Sequence, residues 1–241
     1  MPQLESTTHS RTRACADYVN NQTEQLTLFV TALELAAENG GPPAGLAGEI
    51  TADGDPHGSF RSWFDRQMAE TLLTRAVDGF LTYLADLLAM VYEANPNALP
   101  REANIPVSLA LDLDNRDALV RELAGRRVRA LSRNSIDALN LPFKALHVPL
   151  YRSREERNAI ERTIAQRDLL VHSRGIVDHT YLRRVPNSKT PAGEPLIQKR
   201  SQAVDDTVML VEAAVRVDRI AAESWDFETV EIQMGSSRVQ R

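Results

Sequence analysis

Two histidines of this 241-residue chain follow an arginine at a distance of five residues: His172 after Arg167, and His179 after Arg174. A guanidinium presents a fork of donors that fits a phosphate, and an imidazole exchanges a proton near neutral pH. Held together, the two groups place a fixed cation beside a group that can move a proton. Spacing alone carries little weight. With 25 arginines and 5 histidines in the chain, roughly 1.6 matches arise by chance when four to six residues are allowed between the two.

Position on an element separates the two pairs. Ser153-Arg154-Glu155-Glu156 has the Ser-x-x-Glu spacing of a capping box, which predicts a helix starting at Arg154. Gly175 can supply the left-handed turn that follows a last helical residue, so the helix ends near His172 or Ser173. On it, Ile160, Ile164 and Val171 fall within about 60° of Arg167, which places a guanidinium on an apolar stripe. That costs several kcal/mol unless the group is paired with an acid of a neighbouring helix, reaches water along its stem, or faces a cleft or interface. Glu70 and Asp78, on a helix further upstream, are the candidate partners. His172 sits in the final turn, where the helix dipole favours imidazolium; capping the last carbonyls is its alternative role. Arg174 and His179 are different, because Gly175 and a cap at Asp178 break any helix between them.

The elements around this helix follow from a dominant 3.6-residue period. Apolar positions from Phe60 through Trp63, Phe64, Leu73, Phe80 and Leu87 to Tyr92 predict one long core helix, ended by Asn95-Pro96-Asn97. Gly79 inside it costs up to ~1 kcal/mol relative to Ala unless another backbone packs closely there. Upstream, Arg11 to Asn39 reads as a helix with Tyr18, Leu26, Phe29, Val30 and Leu33 on one side. A linker rich in Gly and Pro follows, so residues 1–57 read as a helical extension joined flexibly to a main body of residues 58–225, with 226–241 as a loose tail. Asp114-Asn115 caps a helix carrying Leu119, Leu123, Val128 and Leu131; Asn134 or Ser135 caps the next, and Asp178 a short one through Leu182. Pro186 to Lys199 reads as a loop with a short hairpin around Pro195-Leu196-Ile197. A last helix from Ser201 to Trp225 is expected to bury Val204, Val208, Val211, Val215 and Ile220. No strand pattern competes.

The ordered set Arg167-Asp168-Leu169-Leu170-Val171-His172, then Gly175-Ile176-Val177-Asp178 and Tyr181-Leu182, resembles the signature of HEPN domains: Arg, a polar residue, apolar residues, His, often a Gly, and a short following helix. Arg75 to Leu88 looks like that family's long first core helix, and the resemblance spans residues 60–225. It implies an all-α, antiparallel helical bundle that dimerises with two Arg/His sets facing each other across a cleft, and a metal-independent endoribonuclease without a cofactor. By the same resemblance His172 acts as general base or acid on the RNA 2′-hydroxyl and leaving oxygen, Arg167 holds the scissile phosphate, and Asp168 orients or assists the pair. Ser173 stands where relatives more often carry Asn, which makes it a shorter supporting donor; Glu70 is a further supporting candidate. A bacterial toxin or anti-phage defence role follows from the resemblance, with an antitoxin or regulatory protein as partner. The alternative is a non-catalytic HEPN module that binds RNA or a partner protein.

Composition bounds the remaining possibilities. Cys15 is the only cysteine, so an intramolecular disulfide and a thiolate metal cage are excluded, and a semi-buried thiol is expected. Asp112-Leu113-Asp114 and Asp205-Asp206 each precede a helix and read as caps, not metal ligands. His9, His57 and His147 have no partner at a useful spacing. No apolar run reaches a membrane span and the start lacks a secretory pattern, which points to a cytoplasmic protein. The net charge of −5 hides an uneven distribution: Tyr151 to Arg200 holds eleven Lys or Arg against six Asp or Glu, and Arg116 to Arg133 six arginines against two acids. Such runs are solvated helix faces or places where a phosphate backbone is held.

Overall fold

The computed structural model describes residues 8–38, 56–98 and 116–233. The linker after Asn39, the Asp112, Asp114 and Asn115 candidates, the Phe60 side chain and residues 234–241 lie outside the described residues. Within them the chain is all-α apart from one small ribbon. Its helices are α1 (Arg13–Glu38), α2 (Pro56–Ala94), α3 (Arg116–Ser132), α4 (Ile136–Ala145), α5 (Arg154–His172), α6 (His179–Arg184) and α7 (Arg200–Trp225), with a 3-10 turn at Pro96–Ala98. None is long and apolar enough to cross a membrane.

Helix α2 is the spine because its apolar residues spread over more than one face. Leu73, Ala76, Val77, Phe80, Leu84, Leu87 and Leu88 are all buried, and all of these but Leu73 share one core cluster with residues of α1, α3, α5 and α7. Trp63, expected in the same core stripe, is 40% exposed near the start of the helix. Gly79 marks the crossing with α1: a Cβ there would lie 2.7 Å from Gln22 Nε2 and 3.1 Å from the Tyr18 ring. Close approach of α1 is therefore the reason a glycine is tolerated inside this helix.

Helix α1 was expected as an extension, yet Cys15, Tyr18 and Val19 belong to the main core cluster. Tyr18 stacks on Tyr83 of α2 with ring centroids 5.7 Å apart. Phe29 is buried with Leu26 and Leu33 beside it, whereas Val30 is 41% exposed. Cys15 is fully buried, and burial pushes its thiol well above the ordinary range.

Contacts along the helices give their directions. Tyr18 and Gln22 meet Gly79 while Phe29 clusters with Ala69 and Leu72, so α1 and α2 are antiparallel. Ala203 joins that same cluster and the Tyr83 hydroxyl donates to the Ala214 carbonyl at 3.1 Å, so α7 runs alongside α2 in the same direction. The buried face of α7 differs from the expected one. Ala203, Leu210, Ala213, Ala214, Val217 and Ala221 are buried, while Val208 is 43% exposed and Val204, Val211, Val215 and Ile220 are only partly covered. Small alanines let the α2 and α7 backbones approach, and the larger valines are displaced to the flanks.

Strands do occur, contrary to the sequence reading. Thr8–Arg11 (β1) pairs antiparallel with Val230–Gln233 (β2), so the start of the predicted tail is tied to the N-terminal segment. The Asp218 carboxylate anchors the turn into α1, accepting from the Thr12 amide at 2.9 Å and the Thr12 hydroxyl at 2.5 Å. The segment around Pro195 does not form its own hairpin either. Val177 N donates to Glu194 O at 2.9 Å and Leu196 N to Gly175 O at 2.8 Å, which clamps the 186–199 loop onto the chain leaving α5. Leu196 there packs with Val177 and Tyr181 in a small separate cluster.

Candidate functional site

The candidate site is built at the carboxyl end of α5, whose limits match the sequence reading. Ser153 caps it by accepting from the Glu156 amide at 3.2 Å, and Glu156 answers by accepting from the Arg152 amide at 2.7 Å, one residue earlier than a standard capping box. At the other end Ser173 N and Gly175 N both donate to Leu169 O at 2.9 Å. Arg174 and Gly175 take left-handed conformations, with φ of 53° and 74°. The reversal sends the chain into α6, which Asp178 caps by accepting from Tyr181 N at 2.7 Å. Arg174 consequently sits in the turn and His179 opens α6; both are exposed and do not form a helical pair.

Arg167 is three-quarters buried and doubly paired. Its Nη1 donates to Asp168 at 3.0 Å and its Nη2 to Asp78 of α2. Asp78, one of the two partners considered from sequence, fills that role; Glu70 does not. Glu70 faces its own helix, 3.9 Å from Arg66 and 3.5 Å from Gln67. Burial raises its carboxyl, opposed by Arg66. The apolar stripe of α5 holds at Ile160 and Ile164, both buried, and opens at Val171, which is 49% exposed. Arg167 thus stands where the core gives way to the surface.

Asp168 links Arg167 to a residue the sequence reading did not single out. Arg184, the last residue of α6, donates to Asp168 at 2.7 Å and to Glu161. Glu161 is 3% exposed and also accepts from the Ile136 amide at the start of α4. A chain of salt bridges, Asp78–Arg167–Asp168–Arg184–Glu161, therefore joins α2, α5 and α6 and reaches the first donor of α4. One signal for it was available: Glu161 and Asp168 are seven residues apart, on one face of α5, beside the apolar Ala165 and Leu169. That α6 turns back to place Arg184 between them is a long-range result.

His172 is exposed and its imidazole has no hydrogen-bond partner among the described residues. It lines a cavity of about 380 Å³ together with Arg167, Asp168, Ser173 and Arg184, and with Arg129 of α3 and Arg133 just past its end. Arg167 and His172 lie about 140° apart around the helix, so the cavity wraps the end of α5 instead of tracking one face. Ser173 donates to Asp178 at 3.2 Å, which makes it a brace for the turn. The Asp205-Asp206 pair, read as a cap, has another role at Asp206. That carboxylate is buried in the second turn of α7 and accepts from Arg162 of α5 at 2.8 Å and from Gln202 at 3.0 Å. Burial raises its carboxyl, opposed by Arg162.

The arrangement offers a guanidinium, an imidazole and a cationic rim around one cavity, with a carboxylate holding each Nη of the central guanidinium. Compared with protein-family models, with characterised proteins and with solved structures, the chain finds no match.

Proposed function

We propose that this protein is a metal-independent endoribonuclease of HEPN type, working as a homodimer, in a bacterial toxin or anti-phage defence setting with an antitoxin or regulatory protein as partner. The observation that carries the reading is that Arg167 and His172 line one cavity together with Arg129 and Arg133. Phosphate recognition belongs to these arginines, since paired N–H donors satisfy two phosphate oxygens at once. Asp78 holds Arg167 from a partly exposed position, with 47% of its side chain accessible, so an incoming phosphate oxygen can take its place at low cost. Asp168, tied to Arg184, keeps the guanidinium aimed during that exchange. His172 then accepts the 2′-hydroxyl proton as the 2′-oxygen attacks phosphorus; the 5′-oxygen leaves with a proton, giving a 2′,3′-cyclic phosphate and a 5′-hydroxyl. In a two-fold dimer the second proton is supplied by the partner's His172. Val171 and Ile176, 49% and 40% exposed beside His172, give such an interface apolar contact.

A second reading, a non-catalytic HEPN module that binds RNA or a partner protein, is favoured by the same two carboxylates, because both Nη groups of Arg167 are already paired. Purified protein incubated with RNA in EDTA decides between them. Cleavage by the wild type, reduced at least about 100-fold in Arg167→Ala and in His172→Ala, supports the enzyme. RNA binding without cleavage, equal in wild type and His172→Ala, supports the module.

A further inference from the structure

Three concavities overlap in series along α5, the first of them wrapping its end. The Arg167/His172 cavity shares Arg133 and Arg184 with a second hollow that also takes in Arg157 and Arg183. Arg157 and Arg184 are in turn shared with a third, which reaches the start of α5 and includes Arg152, Arg154 and Arg162. Across the three, nine arginines face five acids, Asp137, Glu155, Glu161, Asp168 and Asp178, in a protein whose overall charge is −5. From His172 back to Arg154 the path is about 27 Å long at 1.5 Å per helical residue.

The arginines of this path are not equivalent. Arg157 is forked onto Asp137 and Arg162 is held by Asp206, so these two build the walls. Arg154 and Arg183 are exposed and form no ion pair among the described residues, and Arg152 is 70% exposed beside Glu156. Asn158 and Asn187 add carboxamides to the same hollow, and amides suit ribose hydroxyls and base edges better than they suit a bare anion.

We infer that this groove holds the sugar-phosphate backbone of a single RNA strand, leading it along α5 from the Arg152/Arg154 end to the Arg167/His172 cavity. The inference rests on the RNA reading above, but it concerns binding and is tested without cleavage. Arg152, Arg154 and Arg183 lie outside the cavity and are exposed, so changing them leaves the fold in place.

The test uses full-length His172→Ala protein in EDTA with a 5′-labelled uridine 12-mer, followed by fluorescence anisotropy between 50 and 200 mM salt. Adding Arg152→Gln, Arg154→Gln and Arg183→Gln together should weaken binding about tenfold or more and flatten the plot of log affinity against log salt by about 2, at ~0.7 per lost phosphate contact on a single strand. The triple change Arg13→Gln, Arg116→Gln and Arg219→Gln removes the same charge from exposed positions elsewhere and should alter neither. The groove assignment is overturned if His172→Ala protein does not bind the strand, if the groove variant keeps its affinity and slope, or if the control triple loses as much. Equal competition by inorganic polyphosphate at matched phosphate concentration overturns it as well, since the site would then read charge and not a strand. Failure of the ribonuclease reading shows separately, as absence of cleavage by the wild type despite binding.

Discussion

Arg167 and Arg216 are both guanidiniums on helix faces that otherwise bury apolar side chains, and their surroundings assign them different work. Arg216, 9% exposed on α7, donates to the Pro149 carbonyl at 3.2 Å, the Leu150 carbonyl at 2.7 Å and Glu156 at 2.9 Å. Two of these partners are backbone of the segment entering α5, and the third is the carboxylate that caps it. None can leave without stranding a buried polar group. Arg167 has only side-chain partners, and one of them, Asp78, is half exposed. A guanidinium clamped by backbone holds a fold together, whereas one clamped by an accessible carboxylate can exchange that partner for a phosphate. An arginine on an apolar stripe is therefore not by itself a mark of function; what opens beside it decides.

The sharpest way to break this contrast is to delete each arginine and measure unfolding in urea. Arg216→Ala should cost about 3 kcal/mol, because it strands two carbonyls and a largely buried carboxylate. Arg167→Ala should cost about 1 kcal/mol or less, its pairs being partly solvated. Equal losses would remove the distinction.

Acid titration of stability probes the Arg216 side alone. Burial raises the Glu156 carboxyl, but the Arg152 amide and the Arg216 guanidinium outweigh it and leave the group below its ordinary value. Its contribution is thus present above the unfolded-state value near 4.5 and fades as pH falls through the lower folded-state value. Glu156→Gln should be less stable than wild type by about 2 kcal/mol at pH 7, and the gap should narrow below pH 4.5. A gap that stays constant down to acid would mean that the ion pair contributes nothing.

The smallest expected effect sharpens the Arg167 side. Asp78→Asn removes the exchangeable charge and should raise RNA cleavage or RNA affinity several-fold, with unfolding changed by about 0.5 kcal/mol at most. A loss of both activity and binding would make Asp78 a positioning residue for Arg167 instead of a placeholder.

Much of α5 was legible because its signals are local. Ser153, Glu156 and Gly175 set its ends through contacts within a few residues, and Asp178 does the same for α6. Face assignments were less secure. On α7 the valines predicted to be buried gave way to alanines, because close packing against α2 selects for small size over hydrophobicity. The β1/β2 ribbon was illegible for a related reason: its pairing joins residues more than two hundred positions apart, and neither strand alone has a distinctive pattern.

What the sequence by itself determined is the helix that carries Arg167 and His172, its two ends, the break that separates Arg174 from His179, and the concentration of arginines nearby. Those are matters of hydrogen bonds and periodicity over a few turns. Only the tertiary structure decided that Asp78 and not Glu70 meets Arg167, that Arg184 ties Asp168 to Glu161, and that three hollows join along α5. Each of these depends on how α2, α3 and α6 pack around α5, and ion pairs between elements form only where packing of the whole core brings their charges within reach.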